Sequence, residues 1–176
     1  AAYHSIKVVH VEAGLRSFDK SMPEEINRIL TDKISDLLFV TEASGIENLA
    51  REGIDSRKSH FVGNVMVDTL LKHKKFAINS SNILNTLELI PKQYAVLTLH
   101  RSSNVDRKEV LQGILKAMAE LSHELKIVFP MHPRTKNSIQ KFKLDHLSSG
   151  LIVTQPVSYL DMIQLMSNSK LVLTDS

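Results

Sequence analysis

The segment from His10 to Arg28, HVEAGLRSFDKSMPEEINR, brings together carboxylates, arginines and a histidine. Glu12 directly follows an apolar run, and side chains that do chemistry in open α/β sheets collect where strands end and helices begin. Glu24 and Glu25 come after a proline that suits the first turn of a helix. The segment therefore predicts a site for chemistry, although Glu24 and Glu25 taken alone are also explained as acids that complement a helix dipole.

A second strand end carries cationic groups. His100 and Arg101 follow the apolar run 94–99, and small polar residues then lead into a helix. Free N–H groups at a helix N-terminus and the bidentate guanidinium of Arg101 favour binding of a phosphate without a glycine-rich loop. The alternative is that His100 is a packed histidine bonded to backbone.

The same arrangement recurs twice more along the chain. His132 and Arg134 follow the run 126–130. The alternative is that Pro133 marks a rigid turn in which these residues have only a structural role. The run 171–174 leads into Asp175 and Ser176. Successive strand ends that terminate in polar and cationic groups predict one crevice at the carboxyl edge of the sheets.

Short apolar runs alternate with amphipathic segments, as expected for strands joined by helices. Continuous apolar runs suit strands covered on both faces of a parallel sheet, with right-handed crossovers. The fold class predicted is α/β. The predicted strands are Ile6–Val11, Leu37–Val40, His60–Val62, Tyr94–Leu99, Lys126–Pro130, Leu151–Thr154 and Leu171–Thr174.

Local signals predict where several helices begin and end. Asp106 with Glu109 predicts a capping box, and Ser158 with Asp161 predicts a second helix start. Gly53 predicts a left-handed helix end.

Composition excludes several classes of protein. The 176 residues contain no cysteine, so disulfides, thiolate metal sites and a thiol nucleophile are excluded, and no metal constellation or glycine-rich dinucleotide motif stands out. The net charge of +3, with three tyrosines and no tryptophan, gives little support for nucleic-acid binding. No apolar run approaches the roughly 20 residues of a membrane span.

The ends of the sequence predict that it is a segment of a longer protein. The first residues, 1–4, resemble the end of a helix, and the chain stops at Ser176, at the tip of a predicted strand. The long stretch between residues 63 and 94 has no strong strand and is a natural place to pass from one α/β unit to the next.

The quoted motifs resemble those of the non-hydrolysing UDP-N-acetylglucosamine 2-epimerases. The matching blocks are HVEAGLRSFD, PEEINR, FVGNVMVD, TLHRSSNVD, HPRT, QPVSYLDMIQLM and LTDS, in the family's order. The resemblance implies two Rossmann-like domains of the glycosyltransferase-B (GT-B) type, each only partly present. Residues 1–63 would be the C-terminal part of the first domain, and 64–176 a linker helix and the N-terminal part of the second, UDP-binding domain.

The resemblance also implies roles for individual residues. Glu12 and Glu24 match the acid/base carboxylates, without indicating which is which, and His100 matches the catalytic histidine beside the diphosphate. Arg101 and His132 match residues that, in bacterial members of the family, help to hold a second, activating UDP-N-acetylglucosamine. The substrate-binding residues carried over by motif are Arg101, His132, Pro156, Tyr159 and Ser176, with Pro156 and Tyr159 near the uracil and Ser176 in a phosphate-binding turn.

The resemblance implies an isomerase that interconverts UDP-N-acetylglucosamine and UDP-N-acetylmannosamine without cofactor or metal. A cytoplasmic homodimer, with no nucleic-acid or membrane partner, is the expectation for the full-length protein. Ser102 stands where many bacterial members have a second arginine, which leaves allosteric activation open. The alternatives are a glycosyltransferase of the same architecture and a non-catalytic nucleotide-sugar-binding module.

Overall fold

The computed structural model describes residues 6–176, which form two compact units that divide between Leu71 and Lys72. The division between the units falls within helix α3 (Val65–Ser80), whereas the sequence places the boundary just before that helix. The domain ranges 1–63 and 64–176 stay a prediction. The helix end expected at residues 1–4 lies outside the described residues.

The first unit is a three-stranded parallel sheet in the order β1-β2-β3. Helices connect successive strands, as parallel pairing requires. Its core lies between β1, β2 and α2 and consists of Ala13, Leu38, Val40 and Leu49. The elements of this unit are β1 (Val9–Ala13), α1 (Pro23–Ile34), β2 (Leu37–Val40), α2 (Ala43–Arg51) and β3 (Ser59–Phe61).

The second unit is a four-stranded parallel sheet in the order β6-β5-β4-β7. The chain moves from β4 outward through β5 to β6 and then returns to pair β7 on the other side of β4. Its elements are α4 (Ile83–Thr86), β4 (Tyr94–Thr98), α5 (Ser102–Val105), α6 (Lys108–Leu121), β5 (Lys126–Pro130), α7 (Pro133–Phe142), β6 (Ile152–Thr154), α8 (Tyr159–Asn168) and β7 (Leu171–Thr174).

Apolar residues of β4 and β5 fill the core on both faces of the second sheet. Ala95 and Leu97 pack with α6 and α7 on one face, while Tyr94 and Val96 pack with α8 on the other. The Tyr94 hydroxyl donates to the Leu165 carbonyl at 2.7 Å, which satisfies the buried polar end of that ring. The continuous apolar pattern thus predicted a doubly covered strand correctly here.

The first strand differs from its prediction. Pairing with β2 begins at Val9 opposite Leu37 and ends at Ala13 opposite Val40, so β1 is displaced toward the C-terminus of the predicted run Ile6–Val11. The position of β1 is determined by its pairing with β2 and by the burial of Ala13. The apolar run in the sequence predicts neither of these. Glu12 therefore lies within the strand, not beyond it.

Of the three predicted helix ends, two are confirmed and one is wrong. Ser158 accepts from the Asp161 N–H at 3.2 Å and Gly53 has φ +74°, which confirms both predictions. The capping box at Asp106 is wrong, because α6 begins one residue after Arg107 and has no side-chain cap. The Asp106 carboxylate instead accepts from Arg134 Nε at 3.0 Å, a tertiary contact that the local pattern does not encode.

Gly14 allows two backbones to approach closely. Its φ is +79°, and a Cβ atom there would collide with the backbone of Gly45 at the start of α2.

We expect Gly14→Ala to lower the free energy of unfolding by about 2 kcal/mol or more. The measurement is urea denaturation, with Gly113→Ala as the matched control. Gly113 lies in α6 with open space around it, so alanine there should stabilise by about 0.5–1 kcal/mol. Equal effects of the two substitutions would contradict this packing.

Candidate active site

Glu12 is held in an unusual backbone conformation. Its φ is +71°, and the pairing of β1 with β2 shifts register between Val11 and Ala13, as in a β-bulge. A non-glycine residue in this region costs on the order of 1–3 kcal/mol and is found where the surrounding structure enforces it, often at functional sites. The Glu12 side chain is exposed, so the bulge presents a carboxylate to solvent.

A buried ionic cluster lies next to this bulge. Asp32 of α1 is within 2.7 Å of Arg16 Nη2, and Arg16 also donates from Nε to Glu52 at 2.7 Å. The side chains of Arg16 and Asp32 are 1% and 0% exposed, so the charges compensate each other away from water. The bond to Glu52 raises the pKa of Arg16 above its usual value despite burial, and Arg16 in turn lowers the pKa of Glu52. The arginine of the HVEAGLR block is therefore structural.

The two glutamates that follow Pro23 have different environments. Glu24 is exposed, as a carboxylate that meets a ligand must be. Glu25 is 1% exposed and accepts the N–H groups of Ser17 at 2.9 Å and Phe18 at 3.0 Å. The interpretation of these acids as residues that complement the helix dipole fits Glu25 only in part. Its carboxylate is hydrogen-bonded to the loop before α1 and holds that loop in place.

Glu25 gives stability that depends on pH. Burial alone raises its pKa, but the N–H donors of Ser17 and Phe18 outweigh burial and hold the pKa below the usual 4.5. Its stabilising effect is therefore present above pH 4.5 and is lost as the pH falls through the lower folded-state pKa.

We expect Glu25→Gln to lower the free energy of unfolding near neutral pH by about 1–3 kcal/mol and to flatten its decline in acid. Denaturant titrations between neutral and acidic pH measure both quantities. Glu24→Gln, one residue earlier and exposed, is the matched control and should leave stability within about 0.5 kcal/mol. An unchanged acid profile in Glu25→Gln would contradict the assignment.

In the second unit, the strand order reverses between β4 and β7. Ligands of open α/β sheets bind in the crevice that such a reversal creates at the carboxyl ends of the strands. His100 follows β4, and Asp175 and Ser176 follow β7, so both chain segments meet at this point. The sequence located these residues at strand ends, and the strand order now puts the two ends side by side.

Asp175 joins the two segments. Its carboxylate accepts the N–H groups of His100 at 3.0 Å and Arg101 at 2.9 Å and the Asn104 side-chain amide at 3.2 Å. The His100 Nδ1 atom lies 3.1 Å from the same carboxylate. Burial raises the pKa of Asp175, but these donors outweigh it and the pKa is lowered. A charged aspartate therefore fixes the start of α5 beneath His100.

A pocket of about 190 Å³ lies beside His100. The rings of His100 and His132 are 6.2 Å apart, and His132 Nδ1 accepts the Arg134 N–H at 3.1 Å at the start of α7. Mostly apolar surfaces with two imidazoles suit a flat heterocycle next to an anion. The lining residues are Thr98, Leu99, His100, Pro130, His132, Pro156, Val157 and Met162.

Three predicted residues lie elsewhere in the described part of this unit. The lining of that pocket does not include Arg101, whose side chain is exposed, or Tyr159, whose ring packs edge-on against His73 at 5.7 Å. Ser176 follows β7 and donates its N–H to the Thr174 hydroxyl at 3.1 Å. The structure thus gathers His100, His132 and Pro156 around one pocket, and the contribution of all six residues to binding or catalysis stays a prediction.

Residues 6–176 contain no cluster of three histidine, aspartate or glutamate side chains that suits a metal ion. Within the same range, none of the helices has the length and apolar character needed to cross a bilayer.

Three features define the class of fold to which this chain belongs. They are parallel sheets flanked by helices, polar residues at the strand ends, and a reversal of strand order of the kind that forms a ligand crevice. The chain consists of Rossmann-like α/β units of the GT-B type. Residues 1–176 match the family described as UDP-N-acetylglucosamine 2-epimerase, and the chain belongs to this family.

Individual relatives agree with this assignment. A UDP-N-acetylglucosamine 2-epimerase of Methanocaldococcus jannaschii is 45% identical over 97% of this chain and 49% of its own length. The crystal structure of the M. jannaschii enzyme in complex with UDP-GlcNAc and UDP superposes with a TM-score of 0.90 at 43% identity, covering 99% of this chain and 50% of that one. A Pseudomonas aeruginosa UDP-2,3-diacetamido-2,3-dideoxy-D-glucuronate 2-epimerase is 40% identical over 97% of this chain and 47% of its own length. The chain spans about half the length of the curated relatives it matches.

Proposed function

We propose that the complete gene product carrying this sequence interconverts UDP-N-acetylglucosamine and UDP-N-acetylmannosamine. The reaction is the non-hydrolysing one: UDP leaves C1 as the C2 proton is removed, a glycal forms, and UDP adds back after a proton returns to the opposite face. The observation that carries the proposal is the pocket beside His100, His132 and Pro156 at the strand-order reversal of the second unit.

The chemistry demands a stabilised leaving group. The C2 proton is poorly acidic, so cleavage of the C1–O bond must lead and negative charge must develop on the departing diphosphate. Donors fixed beforehand where that charge appears lower the barrier most. We assign this role to His100, supported by Asp175 beneath it, with Arg101 as an additional cation and Ser176 as a phosphate-binding residue.

Two carboxylates complete the proposed mechanism. Glu12 and Glu24 are both exposed, and each is suited to exchange a proton with C2. One removes the proton and the other returns it on the opposite face, which inverts C2 without a cofactor or metal.

Pro156 and Tyr159 are assigned to binding of the uracil, and His132 with Arg101 to binding of a second, activating UDP-N-acetylglucosamine. We further propose a cytoplasmic homodimer.

Incubation with UDP-N-acetylglucosamine in deuterated water tests the proposal. An epimerase places deuterium at C2 and accumulates the manno epimer. A glycosyltransferase consumes the sugar nucleotide only when an acceptor is added, and a binding module neither consumes it nor places deuterium at C2. Either of these two results would overturn the proposal.

One relative suggests a second candidate substrate. The P. aeruginosa family member is named for a diacetamido-glucuronate sugar and is 40% identical to this chain. UDP-2,3-diacetamido-2,3-dideoxy-D-glucuronate is therefore assayed in parallel. We expect the lower kcat/KM for that sugar, and the reverse order would move the substrate assignment to it.

A further inference from the structure

A buried aspartate of α1 holds the segment that carries Glu12. The Asp32 side chain is fully buried. Its Oδ1 atom is hydrogen-bonded to His10 Nδ1 at 2.6 Å, and its Oδ2 atom accepts the Gly14 N–H at 3.1 Å. The same Oδ2 is 2.7 Å from Arg16 Nη2. One carboxylate thus contacts three residues of a single seven-residue stretch.

These contacts flank Glu12 on both sides. His10 lies two residues before it, and Gly14 lies two residues after it. Between them the β1–β2 register shifts, and Glu12 adopts its positive φ. A strained backbone of this kind persists only where the surroundings over-determine it. Asp32 supplies that constraint by fixing both ends of the bulge.

Asn48 also contacts this stretch, because its side-chain amide donates to the Gly14 carbonyl at 3.0 Å, and the remaining polar partners act further along the chain. Glu52 holds Arg16 through two bonds of 2.7 and 2.8 Å, and Glu25 holds the turn at residues 17 and 18. Loss of the Asp32 charge therefore leaves Arg16 and the following turn with partners. Its specific consequence is a loosened bulge around Glu12.

We propose that Asp32 is a positioning residue that sets the Glu12 carboxylate for proton transfer at C2, an inference that rests on the proposed function. Asp32 has no exposed surface with which to touch a substrate, so it acts through the backbone of the bulge. Displacement of a reacting group by about 1 Å is enough to cost up to 100-fold in rate.

The primary test compares Asp32→Asn with Asp36→Asn in the complete gene product. Asp36 is a matched control because its carboxylate is exposed and, among residues 6–176, accepts the Val8 N–H at 2.8 Å, upstream of β1. We expect Asp32→Asn to lower kcat for C2 deuterium exchange at least about 10-fold, while KM and UDP affinity change less than about 3-fold. Asp36→Asn should stay within about 2-fold of wild type. Equal effects of the two variants would overturn the proposal.

A double-mutant cycle separates positioning from general stabilisation. If Asp32 acts through Glu12, then adding Asp32→Asn to Glu12→Gln produces no further loss of kcat. A merely structural role lowers kcat by the same factor in both backgrounds, and that result would refute the proposal.

Circular dichroism and thermal unfolding establish that the Asp32→Asn protein is folded. If it is not, His10→Gln replaces it in the same cycle, because it removes the 2.6 Å bond and leaves Asp32 charged beside Arg16. The expected pattern is the same, with no additional loss in the Glu12→Gln background. Failure of the wild-type protein to exchange C2 deuterium would contradict the proposed function and this inference together. Normal wild-type exchange with an unaffected Asp32→Asn protein would contradict this inference alone.

Discussion

Replacing Glu12 by glutamine lowers kcat for epimerisation by at least about 100-fold, the scale of general acid–base catalysis. Glutamine has nearly the same shape as glutamate but cannot exchange a proton with C2 near neutral pH. The Glu12 side chain is exposed, so the substitution leaves no cavity and no buried group without a partner. Initial rates and C2 deuterium exchange give the loss directly, and UDP affinity should be retained.

Glu88→Gln is the matched control for Glu12→Gln. Glu88 is also an exposed glutamate with a positive φ, of +50°, but it precedes β4 and belongs to no proposed site. We expect Glu88→Gln to keep kcat within about 2-fold of wild type. If Glu12→Gln retained activity within about 3-fold as well, Glu12 would be removed from the proposed mechanism.

Replacing His100 by alanine also lowers kcat by at least about 100-fold, for a different reason. Alanine removes the imidazole proposed to stabilise the departing diphosphate. The backbone N–H of residue 100 still donates to Asp175, so the start of α5 should keep its structure. Weaker UDP binding accompanies the lower kcat in this variant but not in Glu12→Gln. Titration with UDP therefore distinguishes the two variants.

His123→Ala is the control for His100→Ala. His123 is exposed and follows α6, away from the strand ends that carry the proposed site. Its substitution should change neither kcat nor UDP affinity by more than about 2-fold. Near-normal turnover in His100→Ala would instead favour the interpretation of His100 as a packed histidine.

Most of the sheet architecture is predictable because buried parallel strands are short, continuous apolar runs. The runs that became β2, β5 and β7 have the predicted bounds, β4 and β6 differ by one residue at one end, and β3 is shifted by one residue toward the N-terminus. β1 is the exception, since its position depends on the partner strand. Val9 and Val11 are about half exposed at the edge of their sheet, so their apolar character alone does not fix the strand.

In helix α1 the buried residues are not the apolar ones. Ile26, Leu30 and Ile34 recur at helical spacing. In the structure these three residues are 47–57% exposed, and the buried residues of α1 are Glu25 and Asp32. Their burial depends on polar partners in β1 and in the loop after it, which lie 7 to 22 residues away in sequence. No local pattern marks such a pair.

The candidate site is predictable to a similar extent. Strand-end logic identified His100 and His132, and the resemblance added Pro156; all three line one pocket. Asp32 and the role of Asp175 were missed, because an aspartate within or after an apolar run has no signal of its own. Only the fold reveals that each carboxylate collects several donors.

A crystal structure of the complete gene product with UDP-N-acetylglucosamine tests the central claim most directly. That claim is that Glu12 and His100 act on one sugar diphosphate. We predict that the Glu12 carboxylate lies within hydrogen-bond reach of the C2 proton position, directly or through one water, and that the His100 imidazole contacts the diphosphate of the same molecule. A ligand bound in the pocket beside His100 with Glu12 facing an unrelated surface would contradict the account.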